Sequence, residues 1–341
     1  MTRALQVMAG AEVGGAEEFF MRLVPALSLA GTEQRAVIRH HASRQAILRD
    51  AGVDVRSARF GGLLDFTTRR VLQRQIREFA PKIVLAWMSR AAKYAPAGNH
   101  VLAARLGGYY PLKNYRHCDH LIGNTEAIRD YLVKEGWPAE RAWYIPNFVD
   151  GTRAPPRDRA VLDTPADATL LLALGRLHRN KAFDVLIEAL SDIPNTYLWI
   201  AGDGPLMPSL RSEAERLGLR ERVRFLGWQD DTAALLAAAD ILVCPSRHEP
   251  LGNVVIEGWA HGLPVVAAAS DGPRKLIVDR ENGLLVPVDD ADALAAAITE
   301  LAANVDLSRQ LAARGLTAYE GAFTQDKVVR QYQAFFEKVT S

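Results

Sequence analysis

Six residues without a formal charge, Thr169–Leu174 (TLLLAL), run directly into Gly175-Arg176. A short unbroken apolar run that ends in a glycine turn is the signature of a strand buried on both faces. It is one of a series. Runs at 5–8, 34–38, Ile83–Trp87, Val101–Leu106 and His120–Gly123 come before it, and runs at 197–201, 223–226, Ile241–Cys244 and 264–268 follow. Amphipathic stretches lie between them. Phe19, Phe20, Leu23, Val24 and Leu27 share one face of a helix starting at Ala16, and further helices are predicted over 68–79, 126–135 and 324–339. Strands alternating with helices predict a parallel sheet covered on both sides, a doubly wound α/β fold. The rhythm is interrupted once, by residues 151–167 (GTRAPPRDRAVLDTPAD), rich in proline and charge and poor in large apolar side chains. That composition suits an interdomain linker. The expected organisation is a domain at 1–150, a linker at 151–167, a second domain at 168–322, and a helix at 323–341 that returns towards the first domain.

A chain of 341 residues is long enough for two cores, and 24% charged with 49% hydrophobic residues excludes a disordered or fibrous polymer. The net charge of +1 argues against a nucleic-acid partner. Charge is uneven, however. Residues 1–150 hold 21 Lys+Arg against 14 Asp+Glu, a balance of +7, and residues 151–341 hold 20 against 26, a balance of −6. Two bodies with different partners follow. Cys118 and Cys244 are far apart and form no metal-spaced cluster, which fits a reducing compartment. No apolar run approaches the ~18 residues of a membrane span, and MTRALQVMAGAEVGG reads as a first strand rather than a secretory leader. The expected address is the cytoplasm.

Ligands of doubly wound sheets bind beyond the carboxyl ends of the strands, so the loops there carry the chemistry. Gly14 and Gly15, in the loop after the first strand, let a backbone approach a ligand beside a helix N-terminus, and equally suit a bare turn. Arg176 and Lys181 bracket the loop after 169–174, where two fixed cations can neutralise a diphosphate or simply face water. Gly202-Asp203-Gly204-Pro205 and Gly227-Trp228 end the next two strands, lining one sheet edge on which a nucleotide could lie. The densest segment is Pro245-Ser246-Arg247-His248-Glu249-Pro250-Leu251-Gly252-Asn253-Val254-Val255-Ile256-Glu257. Here Glu249 sits at the mouth of a helix and Glu257 enters it among apolar neighbours. Two carboxylates beside an anion pocket suit a ligand with both phosphates and hydroxyls, such as a nucleotide-sugar.

These segments, in this order and together with Gly262-Leu263-Pro264-Val265-Val266 and Asn282-Gly283-Leu284-Leu285-Val286, closely resemble the retaining glycosyltransferases of family 4, which have the GT-B fold. The likeness is strong over about 165–320. It is thinner in the first half, where it rests on Gly14-Gly15-Ala16-Glu17 and Ile145-Pro146-Asn147-Phe148-Val149-Asp150. It implies two Rossmann-like domains facing a central cleft, the first on the acceptor side and the second holding a nucleoside-diphosphate sugar. Arg176 and Lys181 would then hold the diphosphate, Glu257 the ribose hydroxyls and Glu249 the transferred sugar. Pro250, Leu251, Gly252, Asn253 and Val254 would lie against sugar and phosphate, Gly204 and Trp228 near the nucleoside, and Gly14 and Gly15 at the reacting centre. The leaving diphosphate would help deprotonate the acceptor on the same face, giving retention without a dedicated nucleophile. The resemblance implies no catalytic metal and no cofactor, the nucleotide-sugar being a substrate. The acceptor would be a glycan or lipid-linked glycan, in lipopolysaccharide or surface-polysaccharide synthesis. A nucleotide-sugar epimerase of the same architecture and an inactive nucleotide-binding relative are the alternatives.

The first half departs from the family. Where many members carry a histidine after a strand, residues 103–110 read AARLGGYY, so Arg105, Gly107 or Gly108 occupies that space. Arg105, Gly108 and Tyr109 are the acceptor-side candidates. Residues 269–275 also depart from the commoner Gly-Gly-x-x-Glu pattern. Asp290-Ala291-Asp292 matches an acid-x-acid metal pattern but also suits a helix cap. The predicted helix over 67–79 places Val71, Leu72, Ile76 and Phe79 on one face and Arg70, Arg74 and Arg77 on another, so it could dock on an anionic membrane or remain a solvated face.

Overall fold

The computed structural model describes residues 2–11, 14–61, 65–229 and 231–341. Glu12 and Val13 of the first loop, and Gly62, Leu63 and Leu64 ahead of the basic helix, lie outside the described residues. The chain divides into two units, 1–148 with 325–341, and 149–324.

In the first unit the chain runs β1 (Arg3–Met8), α1 (Gly15–Leu29), β2 (Glu33–Arg39), α2 (Ala42–Asp50), β3 (Asp54–Ala58), α3 (Phe66–Phe79), β4 (Ile83–Trp87), α4 (Met88–Tyr94), β5 (Val101–Leu106), β6 (His120–Gly123), α5 (Glu126–Lys134) and β7 (Ala142–Tyr144). The second runs β8 (Thr169–Leu174), α6 (Phe183–Ser191), β9 (Thr196–Ala201), α7 (Met207–Arg216), β10 (Val223–Gly227), α8 (Ala233–Ala238), β11 (Ile241–Cys244), α9 (Asn253–Ala260), β12 (Val265–Ala268), α10 (Asp271–Leu276), β13 (Leu284–Val286), α11 (Ala291–Ala303) and α12 (Val305–Ala322). The final helix, α13 (Gln325–Thr340), belongs to the first unit. The sheet orders are β3-β2-β1-β4-β5-β6-β7 and β10-β9-β8-β11-β12-β13, with the named strands paired in parallel. Both orders reverse direction once, between β1 and β4 and between β8 and β11. Such reversals open the crevice in which doubly wound sheets take ligands.

Alternate residues of β1 feed opposite layers. Ala4 and Met8 join Phe20, Leu23, Leu27, Val328, Phe335 and Phe336 on one side, and Leu5 and Val7 join Leu72, Phe79 and Leu132 on the other. The face of α13 carrying Val328, Val329, Tyr332, Phe335 and Phe336 is buried. Each large apolar side chain of that face contributes about 2 kcal/mol of burial. One polar thread runs through the first layer: the Trp87 indole donates to Gln6 Oε1 (2.9 Å), Gln6 Nε2 donates to Gln34 Oε1 (2.8 Å), and Gln34 Nε2 donates to the Val24 carbonyl (2.7 Å). Because every link is made, these buried amides fix the β2-β1-β4 pairing at little cost.

Residues 151–167 are tied to the second unit: the Arg159 guanidinium donates to the Ala238 carbonyl and the Asp240 carboxylate, and the Trp199 indole donates to Thr164 Oγ1 (3.0 Å). The inward face of α3 differs from the one predicted. Thr68, Leu72, Gln75 and Phe79 are buried, and Val71 and Ile76 are only half-buried. Thr68 Oγ1 is engaged twice, by Asp65 and by the Phe60 amide, so a polar side chain can occupy the innermost position.

Candidate functional site

The reversal in the second sheet places the loops after β8 and β11 side by side. Gly175 turns the first of them at φ +141°, in the region open to glycine. Gly202, at the end of β9, has φ +153°, and a Cβ there would run into the Gly175 backbone. The two loops then run in register. Arg247 Nη1 donates to the Arg179 carbonyl (2.9 Å), the His248 amide donates to the Asn180 carbonyl (3.2 Å), and Glu249 accepts from the Lys181 ammonium. Each contact joins residues separated by the same offset in the chain. The result brings Lys181 and Glu249, distant in sequence, into one ion pair at the sheet's reversal.

Glu249 is held from several directions. Its second oxygen accepts from the Gly252 amide (3.3 Å), and its carbonyl accepts from the Gly272 amide (2.7 Å). Burial by itself lowers the Lys181 pKa, but the charge and hydrogen bond of Glu249, helped by Glu257, outweigh it and hold the ammonium above its ordinary range. The pair is not sealed: the Lys181 side chain is 22% exposed and that of Glu249 11%. An incoming anion can therefore reach the ammonium and compete for it.

Arg247 clamps the loop from behind. Its fork engages both oxygens of Asp184, at 2.9 and 2.7 Å, and its Nε donates to Asp289. Burial raises the Asp184 carboxyl, and the hydrogen bonds and charge of Arg247 pull it down further, to below its ordinary value. Sequence reasoning passed over Arg247 and Gly272. Arg247 could have been flagged as a charged residue at a strand end, two residues before Glu249. Nothing local marks Gly272, whose added Cβ would lie 2.6 Å from the Glu249 carbonyl oxygen.

The remaining candidates of this unit lie along the same edge. Arg176 is exposed and forms no salt bridge among the described residues. Gly204 passes close to the preceding loop, where a Cβ would meet the Leu177 carbonyl at 2.5 Å. Trp228 is 54% exposed, just past the edge strand β10. Pro250 and Leu251 are half-buried, Gly252 caps α9 at φ +80°, Asn253 opens that helix, and Val254 is buried. Glu257, expected in a largely buried setting, is only half-buried, one turn into α9. Asp290 caps α11 by accepting from the Ala293 amide (2.8 Å), and no cluster of three His, Cys, Asp or Glu side chains suited to a metal occurs among the described residues.

In the first unit, Gly14 is the N-cap of α1 and Gly15 is exposed. Glu17 turns back beneath them and accepts from the Ala11 amide at 2.6 Å. Arg105, expected on the acceptor side, is an interior residue, 1% exposed. Its guanidinium lies 4.5 Å from the Phe19 ring centre and 4.9 Å from that of Trp87, and it donates to the Tyr332 hydroxyl (2.8 Å) and to Asn147. The pleat of β5 turns it into the sheet–α13 layer. Gly108 and Tyr109 do lie at the carboxyl edge, Tyr109 47% exposed and edge-on to Tyr131.

Comparison with known proteins bears on the family and the fold. The model for Glycosyltransferase Family 4 matches residues 13–153, and that for Glycosyl transferases group 1 matches 168–304. Two proteins of Rhizobium meliloti (strain 1021) are similar along their whole length. The lipopolysaccharide core biosynthesis glycosyltransferase LpsE is 40% identical over 326 residues, 94% of each chain, and LpsD, of the same description, is 37% identical over 341 residues, 98% of each. The crystal structure of Anabaena HepE in complex with UDP-glucose has the same fold, with a TM-score of 0.85 at 21% identity over 99% of this chain and all of that one. Fold and loop arrangement thus define a glycosyltransferase of the GT-B class. More narrowly, the chain belongs to glycosyltransferase family 4.

Proposed function

We propose that the protein is a retaining, metal-independent glycosyltransferase that moves a sugar from a nucleoside-diphosphate sugar to a glycan or lipid-linked glycan of a lipopolysaccharide core. The observation that carries this reading is the accessible Lys181–Glu249 pair at the reversal of the second sheet, with the exposed Arg176 earlier on the loop that carries Lys181. A diphosphate displaces Glu249 from the ammonium and takes Lys181 and Arg176 as counter-charges. The freed carboxylate turns to the hydroxyls of the transferred sugar. Glu257 accepts from the ribose, and the first amides of α9 face the phosphate. Trp228 follows β10, which lies two strand spacings (about 10 Å) from β8 along the sheet edge, and its exposed ring would meet the nucleoside.

In this scheme the bond between the anomeric carbon and the leaving oxygen breaks as the acceptor oxygen approaches on the same face, its proton passing to the departing diphosphate. Two side-chain cations stabilise the charge that develops there, in place of a divalent ion. Each contact of this kind is worth ~10²–10³-fold in rate. LpsE and LpsD support the lipopolysaccharide setting, and HepE supports a nucleotide-sugar donor.

The work takes place in the cytoplasm, at the inner face of an anionic membrane. No helix among the described residues is long and apolar enough to cross a bilayer. Arg69, Arg70, Arg74 and Arg77 are exposed on α3, and Phe66 at its start is 66% exposed. A basic face led by an aromatic suits lipid headgroups. Incubation with UDP-glucose, UDP-galactose and GDP-mannose, with detection of free nucleoside diphosphate, tests the transferase reading. Release of UDP or GDP is expected with one of them. Conversion of the donor sugar alone would mark an epimerase, and no turnover or nucleotide binding would sink the reading. Flotation with anionic vesicles, weakened by the double charge reversal R70E/R77E, tests the membrane contact.

A further inference from the structure

The first sheet also reverses, between β1 and β4, and three unusual features meet beside that reversal. Met88, the first residue after β4, has φ +65°, a strained conformation for a side chain of its size. Gly107, the first residue after β5, faces Met88 and Asn124: a Cβ there would lie 3.7 Å from Met88 Sδ and 3.6 Å from Asn124 Nδ2. Asn124, the first residue after β6, is 6% exposed, and its buried Oδ1 has no hydrogen-bond partner among the described residues. Its backbone is held to the neighbouring strand, the amide donating to the Leu106 carbonyl at 3.3 Å.

Leaving such an acceptor unpaired costs about 1–3 kcal/mol, and strained residues persist where a site over-determines them. Either feature alone could be incidental. Together they mark the carboxyl ends of three neighbouring strands, where ligands of such sheets bind. We propose that Asn124, Gly107 and Met88 form a carbohydrate subsite in which the Asn124 amide pairs with sugar hydroxyls. A primary amide can accept from one hydroxyl and donate to the next, and Gly107 leaves room for the ring carbon that bears them. The exposed ring of Tyr109 stands two residues further on. The proposal rests on the glycosyltransferase reading. The sugar it serves is that of the donor or that of the acceptor, the chemistry being the same.

Two variants test it. Asn124→Ala removes the amide. Gly107→Ala adds one methyl group at ordinary van der Waals distance from its neighbours, and Gly107 is not among the positive-φ residues, so the fold should tolerate it. The donor is whichever of UDP-glucose, UDP-galactose and GDP-mannose turns over, and the acceptor is deacylated, core-truncated lipopolysaccharide. Each variant should raise one KM about 10-fold, the worth of one neutral hydrogen bond, with UDP affinity and urea midpoint unchanged for Gly107→Ala. A raised donor KM in acceptor-free hydrolysis assigns the subsite to the transferred sugar. Unchanged hydrolysis with a raised acceptor KM assigns it to the acceptor. Unchanged KM values in both assays, as for an amide that holds only water, overturn the proposal, as does a loss of kcat that merely tracks loss of folded protein. A wild-type protein without turnover removes the transferase reading and the subsite with it.

Discussion

Each unit holds a cation near the carboxyl edge of its sheet, and the two are kept in different ways. Arg105 in the first unit is enclosed by two aromatic faces, a tyrosine hydroxyl and an asparagine, all neutral groups. Lys181 in the second is held by a carboxylate and remains 22% exposed on its side chain. A neutral cage is specific to its guanidinium and has nothing to give up to a ligand. A carboxylate partner can be exchanged for a phosphate of the same charge. The contrast separates a cation that fixes the fold from one available to the reaction, although both read as charged residues at strand ends.

The largest test of that contrast is Arg105→Ala. It leaves a cavity and strands the Tyr332 hydroxyl, and should cost about 3–5 kcal/mol in urea unfolding. A stable variant that has lost transfer would break the distinction and return Arg105 to the acceptor side. Lys181→Ala should lower turnover about 10²–10³-fold, with a stability loss of about 1–2 kcal/mol. A smaller kinetic effect than structural effect would place Lys181 with Arg105. Arg247→Ala should loosen the loop that presents Glu249 and raise the donor KM about 10-fold with little change in kcat, and Arg247→Lys should recover only part because an ammonium cannot bridge two carboxylates as a fork does. The smallest effect concerns Asp184. Its folded pKa lies below the ordinary 3.8, so its contribution is present above that value and disappears as pH falls through the lowered one. Half-exposed, it is worth less than about 0.5 kcal/mol. Asp184→Asn should shift the urea midpoint slightly at pH 7 and by progressively less as the pH falls below 3.8.

The second unit was the more legible in sequence because its determinants are local. The apolar runs of β8 and β11 and the glycines after them are contiguous, and the order of the motifs was enough to assign them to one sheet edge. Three strands escaped prediction: β3, whose sequence DVRSA has no apolar run, and β7 and β13, each three residues long and defined by their neighbours. Polar burial was the other blind spot. Thr68, Gln75, Arg105 and Asn124 look like surface residues, and their settings depend on partners elsewhere in the chain. Arg105 and Tyr332 are 227 residues apart. No window of sequence holds both the cation and the hydroxyl that receives it.

The first unit is made of the first 148 residues and the last 17. Tyr332, Phe335 and Phe336 close its inner layer, so the half of the protein that leaves the ribosome first must wait, with that surface uncovered, until α13 has been made. The second unit, contiguous in the chain, can finish beforehand. Stop codons that remove only the final helix should therefore spare the younger half and leave the older one permanently unfinished.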